Sequence, residues 1–265
     1  MNMNKLFDLQ GKVAIVTGGY GHLGSAMVRA LLAANATVIV AGRSVDRFFA
    51  AFSSLECESL HFREIDVTDS DSIKRFFTDI IAHFGSVDIL VNNAHASRGN
   101  SQENMADDDW SYTLDGVVGS VHKMTKAVIP QMKKQKSGKI INISSMYGLV
   151  SPDFKALYQG DDCEKYTNPP HYGAAKAAMN QLTRYFAVLL GPHNIQVNAV
   201  APGPFPNPKV QKENPAFIEK LSNKNPLHRI GKPEDLAGVI TLLSSPASDF
   251  ITGQIIQVDG GWTIW

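Results

Sequence analysis

Cysteine is scarce: Cys57 and Cys163 are the only two in the chain. Two thiols cannot build the disulfide framework of a small secreted domain, and neither lies in a Cys-x-x-Cys or Cys/His cluster with zinc spacing. Net charge is missing as well, with 25 Lys and Arg against 25 Asp and Glu. That balance removes the electrostatic ground for nucleic acid or an anionic membrane as the main partner. No apolar run is long enough to span a bilayer. Residues Met1 to Gln10 are polar and lack the apolar core of a signal peptide. No repeat, low-complexity tract or long linker divides the chain. The expectation is one soluble, cytoplasmic domain over 1–265, consistent with 44% hydrophobic and 19% charged content.

Short apolar runs alternate with helical patterns. Lys12–Thr17 and Ala36–Gly42 read as buried strands, rich in β-branched residues and followed by glycine or arginine. Similar runs recur at Ser59–Ile65, Val87–Asn92, Gly138–Ser144, Ile195–Val200 and Gln254–Asp259. Between the first two, Gly24–Ala34 is rich in alanine and leucine and predicts a helix. A second helix follows the cap candidates Thr68 and Asp69. Its apolar face is Ile73, Phe76, Phe77, Ile80, Ile81 and Phe84, and Gly85 stops it. Tyr172–Leu190 carries a further stripe in Ala175, Met179, Leu182, Phe186 and Leu189. This alternation predicts an α/β fold with a parallel sheet, right-handed crossovers and helices on both faces. Two stretches break the rhythm. Residues 151–170 read as an irregular insert, and 202–226 as a proline-rich loop around a helical patch near Phe217–Leu221; both suit lids or binding loops.

The chemistry gathers where strands end. The first strand runs into Thr17-Gly18-Gly19-Tyr20-Gly21-His22-Leu23-Gly24 and then helix. Glycines there let a pyrophosphate approach the backbone, and the helix N-terminus offers free N–H groups. A glycine-rich turn with no ligand is the plainer alternative. At the end of the second strand, where an NAD site places a carboxylate, stand Gly42 and Arg43. A guanidinium suits a 2′-phosphate, so the pattern favours NADP over NAD; the alternative is an ordinary surface cation. Asp66 ends the third strand, within reach of an adenine amino group or serving as a turn cap. Asn92, Asn93, Ala94 and His95 close the fourth. In Tyr172-Gly173-Ala174-Ala175-Lys176, phenol and ammonium lie four apart on one helix face, where a cation lowers the phenol toward a working pKa. The strand ending in Ser144-Ser145 precedes it, and its serine suits polarising a carbonyl.

Taken together, TGGYGHLG, DVTD, VNNAH, INISS, YGAAK, IQVNAVAPG and ITGQIIQVDGGW resemble the short-chain dehydrogenase/reductase superfamily along essentially the whole chain. The resemblance implies a Rossmann-type three-layer α/β/α sandwich with a seven-stranded parallel sheet. It implies hydride transfer between nicotinamide and a small carbonyl or alcohol. Ser145 would bind the substrate oxygen, Tyr172 exchange the proton, and Lys176 hold the ribose and tune Tyr172. The implied cofactor set is Gly18, Tyr20, His22, Leu23, Arg43, Ser44, Asp66, Val67, Asn93, Ala94, Tyr172, Lys176, Pro202, Gly203 and Phe205. Candidate substrate residues are His95, Ser145, His171 and Asn207. A homotetramer or homodimer is implied, without nucleic acid, membrane or metal.

The match departs from the family pattern in places. His22 replaces a glycine, leaving the Gly18/Gly21/Gly24 spacing of the branch that modifies nucleotide sugars. The family's catalytic asparagine, counted from Trp110, falls on Val117, which cannot hold a water. The 27 positions from Ser145 to Tyr172 exceed the usual interval, and the 151–170 insert accounts for the excess. A sugar or nucleotide-sugar oxidoreductase therefore stands as one alternative. A catalytically weak NADP-binding scaffold or sensor stands as another.

Overall fold

The computed structural model describes residues 3–55, 57–99, 105–159 and 166–264, so Cys163 lies outside the described residues. After a short helix, α1 (Met3–Phe7), come β1 (Val13–Thr17), α2 (Gly24–Ala33), β2 (Thr37–Gly42), α3 (Val45–Phe52) and β3 (Leu60–Glu64). Then follow α4 (Ser70–Phe84), β4 (Ile89–Asn92), α5 (Asp107–Leu114), α6 (Ser120–Gln135) and β5 (Gly138–Ile143). The chain continues through α7 (Pro170–Leu190), β6 (Ile195–Pro202), α8 (Pro208–Glu213), α9 (Pro215–Lys224), α10 (Ala237–Ser244) and β7 (Ile255–Val258). The seven strands form one parallel sheet in the order β3-β2-β1-β4-β5-β6-β7. This is the expected Rossmann topology. The strand order reverses between β1 and β4, and such a switch point opens a crevice at the carboxyl ends of the strands.

Burial on both faces explains the uninterrupted apolar runs. Along β1, Val13 and Ile15 join one core cluster with Phe76, Ile80, Met124, Phe186 and Leu190, from α4, α6 and α7. Their neighbours Ala14 and Val16 join the other with Met27, Leu31, Phe48 and Ile240, from α2, α3 and α10. Each fully buried Leu, Ile or Phe contributes roughly 1.5–3 kcal/mol of hydrophobic stabilisation. Helix α4 begins where expected, with the Asp69 carboxylate accepting from the Asp71 and Ser72 N–H groups at 3.1 Å each. It ends at Gly85, whose φ of 77° is left-handed.

Three local expectations need correction. The stripe on α7 is displaced by one position at its end: Leu190 is fully buried, whereas Leu189 is 45% exposed. One residue turns the helix by about 100°, enough to swing a side chain from core to solvent. The proline-rich segment 202–226 is largely helical, because Pro208 and Pro215 stand in the first turns of α8 and α9, where proline is tolerated. Helix α7 also starts at Pro170, two residues before the expected Tyr172.

Between α5 and α6 the helix passes through a π-turn over Asp115–Gly119. Gly116 in this turn lets the segment after β4 approach closely: a Cβ there would stand 2.3 Å from Ala96 O, and the Ala96 N–H donates to Gly116 O at 3.2 Å. Val117 is completely buried against Val121, Ala175 and Met179. Val117→Asn places an amide in this apolar cluster and is expected to cost about 1–3 kcal/mol of stability. Urea unfolding of the two proteins measures it; equal midpoints would show a polar partner waiting there. Among the described residues, no helix is long and apolar enough to cross a membrane.

Candidate active site

Two adjoining cavities open at the carboxyl ends of the strands. The first, about 500 Å³, lies over the β1–α2 turn and the ends of β2, β3 and β4. Gly18 there has a φ of 62°, which disfavours any side chain. The Gly21 N–H donates to its carbonyl at 2.9 Å. A Cβ at Gly24 would stand 2.4 Å from the same carbonyl oxygen. The loop thus folds on itself only as bare backbone. Thr17 and Asn93 fasten it to β4: Thr17 Oγ1 accepts from the Asn93 and Ala94 N–H groups at 2.9 Å each. Asn93 Nδ2 in turn donates to Thr17 O at 2.9 Å and Gly18 O at 3.1 Å.

At the β2 end, the Tyr20 ring fills the space in front of Gly42, where any Cβ would meet ring carbon at 2.5 Å. The Tyr20 hydroxyl accepts from the Arg43 N–H at 3.1 Å. The Arg47 guanidinium lies 5.0 Å over the Tyr20 ring. Both arginines line the cavity, and neither has a carboxylate ion pair among the described residues. Ser44, next to Arg43, begins the following helix. Its hydroxyl caps α3 by accepting from the Arg47 N–H at 3.3 Å and keeps its own proton to donate. Asp66 combines the two readings of the sequence: it lines the cavity, and its Oδ1 accepts from Thr68 N–H at 2.9 Å and Thr68 Oγ1 at 2.7 Å. Those bonds hold its carboxyl below the usual range. Val67 and Ala94 line the same space. Bare glycine backbone, a helix N-terminus with no side-chain cap, and two arginines without a carboxylate ion pair together fit the phosphates of a dinucleotide.

The second cavity, about 440 Å³, carries Ser145, Tyr172 and Lys176 on one side and Pro202, Gly203, Phe205 and Asn207 on another. Ser145 follows β5 directly, and its oxygen accepts from the Tyr147 N–H at 3.1 Å. Ser144 points into α7 instead, donating to Asn180 Oδ1 at 2.6 Å. The Lys176 ammonium donates to Ile143 O at 2.6 Å and stands 5.5 Å from the centre of the Tyr172 ring. Burial pulls Lys176 down to about 7. Burial also pushes the Tyr172 phenol up, with a hydrogen bond to Ser145 acting against it. The lysine therefore does not hold the phenol below its ordinary value, as the sequence suggested. Both groups leave water, and desolvation penalises the charged form of each.

The histidines part company. His95 is open to both cavities, with its ring 6.1 Å from that of Tyr172. Protein surrounding it and the Lys176 charge lower it to about 4, so the imidazole is neutral; its hydrogen bond to the Asn93 backbone opposes this shift. His22 also borders both cavities, and its Nε2 is buried without a partner. His171 is not in the site. It is fully buried, with Nε2 2.7 Å from Arg98 O. On a helix, the turn that aims Tyr172 into the cleft carries its neighbour away. Asn207 does line the cleft while capping α8, accepting from Val210 N–H at 3.1 Å. Sequence reasoning missed Arg47, although its spacing of four from Arg43 was visible. It also missed Tyr147, Tyr158, Tyr166 and Phe217 around the second cavity.

A glycine-cradled crevice beside a Ser/Tyr/Lys-bearing cleft, on this sheet, defines a dinucleotide-binding oxidoreductase. A family model described as enoyl-(acyl carrier protein) reductase matches residues 22–263. The chain is 34% identical to 3-oxoacyl-acyl-carrier-protein reductase FabG of Thermotoga maritima, over 97% of this chain and 99% of that one. It is 33% identical to 5-keto-D-gluconate 5-reductase of Escherichia coli, over 99% of each. A gluconate 5-dehydrogenase from Burkholderia cenocepacia, solved in complex with NADP and tartrate, superposes with a TM-score of 0.87 at 27% identity, covering 99% of each chain. The chain belongs to the short-chain dehydrogenase/reductase superfamily and is an NAD(P)-dependent oxidoreductase acting on hydroxyl or carbonyl groups.

Proposed function

We propose that this protein interconverts a small carbonyl compound and its alcohol with NADP, using Tyr172 as general acid and base. The observation that carries the reading is the convergence of Ser145, Tyr172 and Lys176 on one side of the second cavity. When bound, the nicotinamide supplies or accepts the hydride. Ser145 and Tyr172 donate to the substrate oxygen, where charge develops, and such placed donors are each worth about 10²–10³ in rate. Tyr172 delivers the proton in reduction and removes it in oxidation. Lys176, fixed by Ile143 O, orients the cofactor ribose and stabilises phenolate as it forms. Gly18, Gly21 and the start of α2 hold the pyrophosphate, Asp66 and Val67 the adenine, and Pro202, Gly203 and Phe205 flank the nicotinamide.

Preference for NADP rests on Arg43, Arg47 and Tyr20. Tyr20 excludes a carboxylate-bearing side chain at Gly42 and carries the second guanidinium on its face. Arg43→Ala and Arg47→Ala are each expected to weaken NADP binding about tenfold to a hundredfold, the usual worth of a charged hydrogen bond. NAD binding should stay within about twofold. Calorimetric titration of both nucleotides into the three proteins tests this; equal losses for NAD and NADP would sink the specificity claim. The same reading takes 1–265 as one Rossmann domain. It also takes the chain as a homodimer or homotetramer through its long helices, where α7 leaves Tyr185 and Val188 61% and 81% exposed.

A further inference from the structure

Each turnover of a carbonyl–alcohol reaction moves a proton as well as a hydride. Here that proton must pass between water and a phenol that has left water. Burial pushes Tyr172 up and pulls Lys176 down to about 7. Toward α6 the Tyr172 ring packs on Val117, Val121, Ala175 and Met179, side chains that carry no proton. Toward β5 the Lys176 ammonium donates to Ile143 O, a carbonyl with no proton to pass on. The phenols of Tyr147 and Tyr158 border the same cavity, but burial pushes both up and they are bonded to one another.

His95 stands on the open side. Its ring meets that of Tyr172 edge-on, with centroids 6.1 Å apart and planes at 62°. The Lys176 charge is near enough to be felt at the imidazole. One ring nitrogen donates to the Asn93 carbonyl, so in the neutral ring the other keeps a bare lone pair. The side chain is exposed and lines both cavities. It is therefore anchored at one nitrogen and free to accept at the other. Its weak basicity is conditional, since burial lowers it first and the Lys176 charge second. Once Lys176 gives up its proton, the second cause is gone and the imidazole becomes a stronger base than before.

We propose that His95 is the proton relay between the Tyr172–Lys176 pair and the water of the cleft, a role that rests on the Tyr172 reading above. In oxidation the alcohol proton passes to the Tyr172 phenolate as the hydride leaves the same carbon for NADP. The phenol hands one proton on, through Lys176 or a bridging hydroxyl, to the bare nitrogen of His95, and is phenolate again. The imidazolium releases that proton to water and returns to the neutral ring. Alcohol and NADP thus become carbonyl, reduced cofactor and one proton. Reduction runs the same path inward.

The test follows reduction of cyclohexanone, dihydroxyacetone and ethyl acetoacetate by the full chain at saturating NADPH, with and without added imidazole. His95→Gln keeps an amide donor for Asn93 O but has no titratable nitrogen, and His95→Ala removes both. Each is expected to lower kcat about a hundredfold in dilute buffer, with KM little changed. Free imidazole should return about tenfold to His95→Ala, which leaves room for it, and nothing to the unaltered protein. In heavy water kcat of both variants should fall by a larger factor than that of the unaltered protein, because proton passage has become the slow step. Glutamine in place of a merely structural imidazole would show none of this. The proposal is overturned if His95→Gln keeps kcat within about threefold, or if neither imidazole nor heavy water separates the variants from the unaltered protein. Full turnover by Tyr172→Phe would defeat the Tyr172 reading and the relay with it. Loss in Tyr172→Phe beside an unimpaired His95→Gln defeats the relay alone. If no probe turns over, NMR of the histidine ring nitrogens with NADP bound decides. At neutral pH the His95 ring should be neutral with one bare nitrogen; a ring with both nitrogens protonated or hydrogen-bonded overturns the relay.

Discussion

Tyr172→Phe is expected to lower kcat/KM by about 10²–10⁴, the range that a placed general acid or base supplies. The change removes one oxygen and keeps the ring, so the contacts of Tyr172 with Val117 and its neighbours persist. Cofactor affinity and the unfolding midpoint should therefore stay where they are. The sign of the pH dependence follows from the upward shift of the phenol. At neutral pH Tyr172 is protonated and ready to act as an acid, so its own titration puts no break in the reduction rate across the neutral range; Lys176, near 7, is the group that titrates there. Oxidation needs the phenolate, so its rate climbs as pH rises. Phenylalanine removes both behaviours. A variant that keeps turnover within about threefold, or keeps the rising oxidation arm, would exclude Tyr172 as the proton carrier.

Gly24→Ala should cripple the protein by another route. The added methyl would stand 2.4 Å from Gly18 O, 2.8 Å from Gly19 Cα and 3.0 Å from Asn93 Nδ2. Two of these are backbone atoms, so no side chain can swing aside. The loop must open, and with it the bonds from Asn93 to Thr17 and Gly18. Overpacking of this order costs about 1–3 kcal/mol of stability. Dinucleotide affinity should fall at least as far, about tenfold to a hundredfold, because the cradle itself is displaced. Chemical unfolding and calorimetric titration of the same preparation measure both. Ordinary affinity in a folded Gly24→Ala protein would mean that the loop does not bear the phosphates.

Much of this was legible in the chain because the signals were local. The β1 run, its glycines and the α2 pattern are contiguous, so strand, turn and helix follow from the neighbouring residues Val13–Ala33. Asp69 and Gly85 marked both ends of α4 for the same reason. The pair Tyr172 and Lys176 was readable because helical spacing alone puts them on one face. What stayed hidden depends on long-range placement. His171 looked as good a candidate as His95, since only packing shows that one turns to Arg98 and the other to the cleft. Ser44 read as a ligand contact, and only the folded chain shows that its hydroxyl also accepts from the first turn of α3. The phenols of Tyr147 and Tyr158 are eleven residues apart in a stretch without periodicity, and nothing local announces that they meet. The direction of the Tyr172 shift was misjudged because burial, the larger influence, is invisible in a one-dimensional string.

His22, Leu23, Asn93 and His95 each border both cavities. Ligands bound in the two cavities would share these four residues, and any coupling between their affinities would be reciprocal. Any factor by which the first ligand improves the grip on the second is returned in equal measure. Asn93 matters most in this respect, because it is tied to the glycine loop through Gly18 while lining the second cavity as well. Neither cavity can be altered at these four positions without altering the other.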